Sequence, residues 1–267
     1  MIKQKEVADF IVLWLKDKCE RASQKGFVIG VSGGIDSAVT STLCALTGKP
    51  VIVLNMPINQ AVDQYDRSNE QIKWLESNFN NVSSRIIDLS DSYNALRETL
   101  LKEDVNKLAM ANSASRLRMT ILYAIANSNK FLVAGTGNRV EDYGIGFFTK
   151  YGDGGVDISP IADLLKSEVY ELASKFDIPR SIQDAIPTDG LWDDNRSDEE
   201  QIGASYEELE WALNCYDVDP EMSTFEPNNR QIEVMNIYCD RHFNNAHKLE
   251  SVPVCKIPEI VKYEKKI

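Results

Sequence analysis

Four short apolar runs alternate with segments of helical periodicity, and this alternation constrains the fold more than any other feature of the chain. Strands are predicted at 27–31, 51–56, 85–89 and 131–134, with helices between them at 37–46, 63–78 and, as a pair, within 92–127. Strands that alternate with helices are typical of an α/β fold with a doubly wound parallel sheet flanked by helices. In such sheets ligands bind at the carboxyl ends of the strands.

The remaining segments surround this predicted sheet. An amphipathic helix is predicted at 5–23, where five apolar residues recur at helical spacing: Val7, Phe10, Ile11, Trp14 and Leu15. Further helices are predicted at 164–176, 205–216 and 228–245, followed by an extended tail at 252–258. Residues 188–201 are polar and acidic; they are predicted to form a mobile loop over the functional site or, alternatively, a plain solvated connector.

A glycine-rich turn follows the first predicted strand. Residues 30–37 read Gly-Val-Ser-Gly-Gly-Ile-Asp-Ser. Gly33 and Gly34 let the backbone turn sharply and bring N–H groups close to a ligand, and the next helix points its partly positive N-terminus at the same place. Asp36 adds a carboxylate suited to holding Mg²⁺ against phosphate oxygens. The turn therefore predicts a phosphate-binding loop; the alternative is a tight strand-to-helix turn without a ligand.

A second block of unusual composition follows the fourth predicted strand. It begins Gly-Thr-Gly-Asn-Arg-Val-Glu at 135–141 and continues Phe-Phe-Thr-Lys-Tyr-Gly-Asp-Gly-Gly-Val-Asp at 147–157. Its first part lies at the end of a strand, as the loop at 30–37 does. Because Mg²⁺ prefers oxygen ligands, Glu141 and Asp36 are predicted to hold a metal ion shared with phosphate oxygens.

These motifs together make the chain similar to a known family. Residues 32–37 resemble the pyrophosphate loop of ATP pyrophosphatases, which cleave ATP between its α and β phosphates. The chain as a whole resembles ammonia-dependent NAD synthetases almost from end to end. Besides the two blocks above, that resemblance rests on Asn112, Arg116, Arg118, Met119, Lys166, Pro187, Thr188, His247 and Lys248.

The resemblance implies both a fold and a reaction. The fold would be adenine nucleotide alpha-hydrolase-like, of the pyrophosphate-loop type, in a homodimer. The reaction would be that of a carbon–nitrogen ligase: with ATP and Mg²⁺, deamido-NAD and ammonia give NAD, AMP and pyrophosphate. An acyl-adenylate intermediate fits this reaction, because a carboxylate is a poor electrophile and AMP is a good leaving group.

The resemblance also implies a role for individual residues. Asp36 and Glu141 would bind the metal and, with Lys166, act in catalysis. The residues expected to bind ATP are Gly30, Val31, Ser32, Gly33, Gly34, Ile35, Asp36, Ser37, Thr136, Lys166 and Thr188. The residues expected to bind deamido-NAD are Arg116, Lys150, Asp157, His247 and Lys248.

Three of the singled-out side chains also have simpler interpretations. Lys166 near the start of a helix could be an exposed surface lysine, although a cation is unfavourable there and a phosphate partner would explain it. Arg118 could make a salt bridge on its own helix. His247 could serve as a cap at the end of a helix, which suits an imidazole well.

Composition limits the class of protein. The formal net charge of −12 disfavours nucleic-acid substrates, since an acidic surface repels phosphate backbones. No apolar run approaches the ~18 residues of a membrane span, and no signal-peptide core is present, so a cytoplasmic enzyme without a membrane partner is expected. Five scattered cysteines favour reduced thiols. One NAD synthetase-like domain over 1–267, with no glutaminase domain, is expected.

Two other functions remain open at this stage. Residues 189–192 and 56–63 depart from the family pattern, which leaves room for a paralogue that amidates another carboxylate, such as a sugar acid. A nucleotide sensor without catalysis is a third hypothesis, which the presence of both Asp36 and Glu141 argues against. The adenylation of a carboxylate is common to the first two hypotheses.

Overall fold

The structure, a computed structural model, describes residues 1–59, 62–188, 196–220 and 226–262. Its centre is a four-stranded parallel sheet in the order β3-β2-β1-β4. The strands are β1 (Gly26–Gly30), β2 (Val51–Asn55), β3 (Val82–Ile86) and β4 (Phe131–Val133). β1 pairs in parallel with β2 and β4, and β2 with β3, so the predicted parallel α/β fold is confirmed.

Eleven α-helices and one π-helical turn accompany the sheet in the described residues. The π-helical turn spans Arg139–Gly144. The α-helices are α1 (Gln4–Arg21), α2 (Ile35–Leu46), α3 (Val62–Asn78), α4 (Ser90–Thr99), α5 (Lys107–Asn129), α6 (Lys166–Lys175), α7 (Arg180–Gln183), α8 (Asp198–Ile202), α9 (Tyr206–Val218), α10 (Asn229–Leu249) and α11 (Glu259–Lys262).

Helices cover the sheet on both faces, which explains why β1 and β2 are apolar along most of their length. On one face α1, α2 and α6 pack through fully buried side chains such as Leu15, Leu43 and Leu172. On the other face α5 packs against β1 and β4, with Met119 and Leu122 in the core. Because both faces are covered, a ligand reaches the sheet at its strand ends.

A further helical cluster is built from α9, α10 and the π-helical turn. Leu209 and Leu213 of α9 and Tyr238 of α10 are buried at its centre. The π-helical turn packs on both helices and follows β4 after a short loop. This connection brings α9 and α10 beside the strand end that carries the Gly-Thr-Gly-Asn motif.

The third strand lies three residues earlier than predicted, at Val82–Ile86 instead of 85–89. Val82 pairs with Val51, and the ladder continues beyond the strand, where Ile87 donates a backbone hydrogen bond to Asn55. β3 is an edge strand with largely exposed side chains. The apolar pattern was therefore a poor guide to its bounds, because little of this strand is buried.

The first helix buries only part of its predicted apolar face. Ile11 and Leu15 are buried as expected, whereas 69% of the surface of Phe10 is exposed. Ala8 and Cys19 occupy the buried stripe with Ile11 and Leu15. The stripe that faces the core is thus narrower than the sequence pattern suggested.

The prediction of a loop at 188–201 is wrong for its last residues, because residues 198–201 form the start of α8. Ser197 caps this helix: its hydroxyl accepts a hydrogen bond from the Glu200 backbone N–H at 3.1 Å, and the Glu200 carboxylate accepts one from the Ser197 N–H at 2.8 Å. Such a capping box stabilises a helix start within a polar sequence. Residues 189–195 lie outside the described residues, as do 60 and 61 in the second departing segment.

Two expectations from composition concern the whole chain. Cys19, Cys44 and Cys215 are buried thiols, Cys239 is half-buried and Cys255 is exposed. Among the described residues, no helix is both long and apolar enough to span a bilayer.

Candidate active site

The glycine-rich loop forms a tight cradle between β1 and α2. Gly33 has a φ of +79°, and a side chain there would place its Cβ 2.9 Å from the backbone nitrogen of Ser68. Gly34 is the N-cap residue of α2 and offers no side-chain acceptor, so the first N–H groups of the helix remain available to a ligand. The loop therefore has the geometry of an anion site at a helix N-terminus.

Two serines hold the loop in this shape. The Ser37 hydroxyl donates to the Gly34 carbonyl at 2.9 Å and lies 3.2 Å from the Ser32 hydroxyl. The Ser32 oxygen accepts a hydrogen bond from the Gly34 N–H at 3.2 Å. Both hydroxyls can turn toward a bound phosphate, because each is a rotatable donor.

Lys166 lies between two carboxylates at the edge of this cradle. Its Nζ is 2.6 Å from Asp36 Oδ2 and 2.9 Å from Glu141 Oε1. Only 3% of the Lys166 surface is exposed, so the alternative of an exposed surface lysine is wrong. The three residues come from α6, α2 and the π-helical turn, and they meet at the strand ends, where the fold predicts a ligand site.

Burial and pairing act against each other in this cluster. Burial lowers the pKa of Lys166, but the two neighbouring carboxylates outweigh it and hold that pKa above its ordinary value. Burial raises the pKa of Asp36, and Lys166 offsets only part of that rise. At Glu141 burial also acts upward, but Lys166 and the Tyr206 hydroxyl bring the pKa below its ordinary value. Lys166 is therefore a cation at neutral pH.

Residues from outside the predicted site fix the two carboxylates. Fully buried Asn138 donates to Asp36 Oδ1 at 3.1 Å, and its own oxygen accepts the backbone N–H groups of Val140 and Glu141. The Tyr206 hydroxyl donates to Glu141 Oε1 and lies 3.2 Å from an oxygen of Asp198. Asn138 thus caps the π-helical turn and orients Asp36 at the same time.

A close approach of backbone and side chain explains one glycine of the second motif. A Cβ at Gly137 would lie 1.8 Å from the carboxylate of Asp142. Any larger residue would displace Asp142 and, with it, the turn that carries Glu141. The Gly-Thr-Gly-Asn sequence therefore packs the π-helical turn tightly against the end of β4.

The strand ends open into a cavity of about 530 Å³. Every residue predicted to bind ATP lines it: Gly30, Val31, Ser32, Gly33, Gly34, Ile35, Asp36, Ser37, Thr136, Lys166 and Thr188. Glu141 and Lys248 line it as well. The structure thus brings the predicted ATP and metal residues together around one space.

Most residues predicted to bind deamido-NAD lie outside this cavity. The Lys150 ammonium donates to the backbone carbonyl of His247, and Arg116 donates to the carbonyl of Lys150 at 3.2 Å. Asp157 accepts hydrogen bonds from the Tyr123 hydroxyl at 3.0 Å and from the Val133 N–H at 2.8 Å. The exposed imidazole of His247 lies 3.1 Å from the Asn244 carbonyl in the last turn of α10, as the helix-cap interpretation expects.

The far wall of the cavity carries three cations, of which the predicted site included only Lys248. Arg241 of α10 donates to the carbonyls of Gln201 and Ile202 at 2.7 and 3.3 Å. Lys248 lies seven residues further along the same helix, and it donates to the carbonyls of Gly146 and Phe148, both at 2.9 Å. Arg118 of α5 lines the cavity too and makes no ion pair within the described residues, so its salt-bridge interpretation is not supported.

The carboxylates offer the oxygen ligands that Mg²⁺ prefers, but they do not form a dense metal cluster. No group of three or more acidic, cysteine or histidine side chains with metal-binding geometry occurs in the described part of the chain. Asp36 and Glu141 nevertheless converge on one point, the Lys166 nitrogen, within 2.9 Å. Two carboxylates with open positions for substrate oxygens are typical of Mg²⁺ sites completed by phosphates.

Several known proteins are similar to this chain in sequence and in structure. Residues 7–252 match the family model described as NAD synthase. The chain is 40% identical over 218 residues to the NH(3)-dependent NAD(+) synthetase of Mycoplasmopsis pulmonis, covering 80% of this chain and 81% of that protein. It is 36% identical over 259 residues to the enzyme of the same name from Methanosarcina mazei, covering 94% and 96%. The solved structure of NMN synthetase from Francisella tularensis shares a TM-score of 0.83 and 32% identity, over 96% of this chain and 100% of that one.

Proposed function

The chain belongs to the NAD synthase family, and we infer that it is an ATP-dependent ligase that converts deamido-NAD to NAD with ammonia. The observation that carries this function is the placement of Lys166, Asp36 and Glu141 beside an anion-binding loop. The same cavity is lined by every residue predicted to bind ATP. The nucleotide-sensor hypothesis explains neither the two carboxylates nor the family membership.

The reaction needs two steps because a carboxylate does not react directly with ammonia. In the first, an oxygen of the nicotinate carboxylate attacks the α-phosphorus of ATP, an acyl-adenylate forms and pyrophosphate leaves. In the second, the nitrogen of ammonia attacks the acyl carbon, the amide forms and AMP leaves with the bridging oxygen, while the nitrogen loses a proton. Such phosphoryl transfer depends mainly on positioning and charge stabilisation.

The chain's own residues supply that positioning. The N–H groups at the start of α2 and the hydroxyls of Ser32 and Ser37 would hold the leaving pyrophosphate. Lys166 would stabilise the negative charge that develops on the phosphate oxygens, since its buried ammonium is fixed in place before the reaction. Asn138 and Tyr206 keep the two carboxylates oriented through hydrogen bonds.

We propose Mg²⁺ as the metal of this site, with Asp36 and Glu141 as its protein ligands. When bound, Mg²⁺ would neutralise phosphate charge and orient the oxygens of ATP. Both carboxylates supply hard oxygen donors at one edge of the cavity, which fits this ion. Lys166 would then share the two carboxylates with the metal.

The second substrate is proposed to lie toward the far wall and the rim of the cavity. Lys248 lines the cavity itself, whereas Lys150, Arg116 and His247 form a linked group just outside it. Asp157 stands apart, bonded to Tyr123 and β4. Cations at the rim suit the pyrophosphate of a dinucleotide, because guanidinium and ammonium groups bind phosphate oxygens.

One relative gives a specific reason to test a second acceptor. The Francisella protein with a TM-score of 0.83 is named for making NMN, the mononucleotide half of NAD. The chemistry would be unchanged, because the same nicotinate carboxylate is amidated. The sugar-acid alternative is not favoured, since the relatives at 34–40% identity are named for NAD.

A single assay tests the function. Purified protein with ATP, Mg²⁺ and ammonium is offered deamido-NAD, nicotinate mononucleotide or a sugar acid in separate reactions. We expect NAD and AMP in equal amounts from deamido-NAD, at a higher kcat/KM than either other acid gives. Formation of ADP, or a preference for the mononucleotide, would contradict the proposed substrate.

We propose that this chain assembles as a homodimer. Exposed apolar side chains such as Phe10, Leu13 and Leu108 are consistent with a protein contact. Light scattering coupled to size exclusion measures the mass directly. A mass near 30.1 kDa, that of one chain, would contradict the dimer.

A further inference from the structure

Arg118 is a half-buried cation whose hydrogen-bonding capacity is mostly unused. Its Nε donates to the backbone carbonyl of Met56 at 3.0 Å, and no other partner occurs among the residues that the structure describes. A guanidinium carries five N–H donors in a rigid fork, so both terminal nitrogens are left without a protein acceptor. Burial lowers the pKa of Arg118, which reports the cost of removing this charge from water.

The neighbourhood does not supply the missing counter-charge. Asp153 is the carboxylate whose charge acts on Arg118, but one of its oxygens already accepts the Ser115 hydroxyl at 2.6 Å and the Thr149 N–H at 3.1 Å. No carboxylate comes within ion-pair distance of Arg118 in the described chain. A chain with net charge −12 does not lack carboxylates, so the unpaired guanidinium is a feature of this position.

The position of Arg118 directs it into the cavity. It lies on the stripe of α5 that lines the cavity, three residues after Ser115 and four before Leu122. Its bond to Met56 places it directly beyond β2, the strand next to β1 and its phosphate-binding loop. A half-buried arginine that lines a ligand cavity, with both terminal nitrogens free of protein acceptors, matches the way arginine recognises carboxylate and phosphate groups.

We propose that Arg118 binds an anionic group of a bound nucleotide, a phosphate or a carboxylate, through its two terminal nitrogens. This inference rests on the proposed function only in that nucleotides fill the cavity. The anion belongs either to ATP or to deamido-NAD, since both carry phosphates and the latter also carries the nicotinate carboxylate. The structural alternative is that Arg118 merely holds the Met56 carbonyl.

Separate binding measurements distinguish these sources. Calorimetric titration of the Mg²⁺-containing protein with ATP alone, and with deamido-NAD alone, is compared for wild type, Arg118→Met and Arg118→Lys. Arg97→Met is the matched control, because Arg97 is an exposed arginine of α4 away from the cavity. The unfolding temperature of each variant is measured in the absence of nucleotide.

We expect Arg118→Met to weaken the binding of one nucleotide about 10- to 100-fold, the range for a charge-assisted hydrogen bond. Arg118→Lys should recover part of that loss, and the unfolding temperature should stay at or above that of wild type. A loss confined to ATP assigns the anion to ATP; a loss confined to deamido-NAD assigns it to the second substrate.

Two results would overturn the proposal. One is unchanged affinity for both nucleotides, with a lowered unfolding temperature, which is what a purely structural arginine predicts. The other is an equal loss for both nucleotides, since one guanidinium holds one anion. Wild-type protein that binds neither nucleotide would instead contradict the proposed function, so the two failures are distinguishable.

Discussion

The two walls of the cavity hold their cations in opposite ways. On the loop side, Lys166 is paired with two carboxylates within 2.9 Å. On the far side, Arg118, Arg241 and Lys248 donate only to backbone carbonyls within the described structure. A backbone carbonyl orients a cation but leaves its charge in place, whereas a carboxylate both orients the cation and neutralises its charge.

This difference suggests a different role for each wall of the cavity. The loop side offers two carboxylates to one ammonium, which suits a divalent cation and the phosphates it carries. On the far side, Arg118, Arg241 and Lys248 make no ion pair within the described residues, which suits an anionic second substrate in a chain of net charge −12. The comparison predicts that loop-side substitutions reduce the rate of reaction, while far-side substitutions reduce affinity.

The largest expected effect is that of Asp36→Asn. The amide keeps the size of the side chain and an acceptor for Asn138, but it removes one of the two proposed metal ligands. We expect kcat to fall by about 10³-fold or more, because a charged group fixed at the reacting phosphate is lost. The measurement is steady-state NAD formation, with Asp9→Asn, an exposed aspartate of α1, as the control. Retention of activity would remove Asp36 from the metal site.

Lys166→Ala tests the same wall through its cation. The expected loss in kcat is about 10²–10³-fold from missing charge stabilisation. The two carboxylates are left facing each other without a counter-charge, so the unfolding temperature should also fall. Rates are therefore normalised to folded protein by circular dichroism, with Lys175→Ala of the same helix as the control. An unchanged rate would contradict a role for Lys166 in the reaction.

Lys248→Met tests the far wall. Its ammonium lines the cavity and is held by the carbonyls of Gly146 and Phe148. We expect the KM for deamido-NAD to rise about tenfold, as for the loss of one charge-assisted hydrogen bond, with kcat changed by less than about threefold. A fall in kcat with unchanged KM would break the proposed division between the two walls. Lys16→Met, on the distant α1, serves as the control.

A smaller effect is expected from His247→Ala at the rim. The imidazole is exposed and contacts only its own helix within the described residues, whereas the backbone carbonyl that holds Lys150 is kept in the variant. We expect a rise of about two- to fivefold in the KM for deamido-NAD, the range of one neutral hydrogen bond. An effect as large as that of Lys248→Met would place His247 in direct charged contact with the substrate.

The smallest effect concerns the support of the far wall. Glu208 of α9 accepts hydrogen bonds from Arg230 of α10 at 2.7 Å, and this contact lowers the pKa of Glu208 to about 2. Because the pKa of Glu208 is lowered in the folded protein, the ionised carboxylate stabilises the fold at pH values above its ordinary pKa of 4.5. That stabilisation is lost as the pH falls toward about 2. Glu208→Gln should therefore lower Tm by about 1–3 °C at pH 7, because the pair is exposed.

Scanning calorimetry at several pH values checks this prediction. The difference in Tm between wild type and Glu208→Gln should shrink as the pH falls from about 4.5 toward about 2, since Glu208 then becomes protonated and is as neutral as the glutamine. A difference that stays constant with pH would mean that the carboxylate charge does not stabilise the contact between α9 and α10.

The loop side was largely predictable from sequence for a physical reason. Its residues lie at strand ends, and the apolar runs of β1 and β4 are buried enough to locate those ends within one residue. The residues proposed to bind phosphate there are contiguous, as at 30–37. β3 was misplaced because an exposed edge strand carries little apolar signal.

The far side was less predictable because its contacts are distant in sequence. The same holds for one contact on the loop side, where Tyr206 reaches Glu141 across 65 residues, because no local pattern marks a tyrosine as the partner of a carboxylate. Arg241 lies on α10, and its position relative to Gln201 depends on how α8 and α10 pack. For Arg118 the helix pattern left a salt bridge open as an alternative, because that pattern does not reveal the carbonyl of Met56.

The central claim is that this site adenylates a carboxylate before the amide forms. Deamido-NAD labelled with ¹⁸O in both oxygens of its nicotinate carboxylate tests it most directly, with mass spectrometry of the products of a reaction containing ATP, Mg²⁺ and ammonium. We predict one ¹⁸O atom in AMP and one in the amide of NAD, because the attacking oxygen stays on phosphorus when ammonia displaces AMP. Unlabelled AMP, or label found in pyrophosphate or inorganic phosphate, would contradict this account.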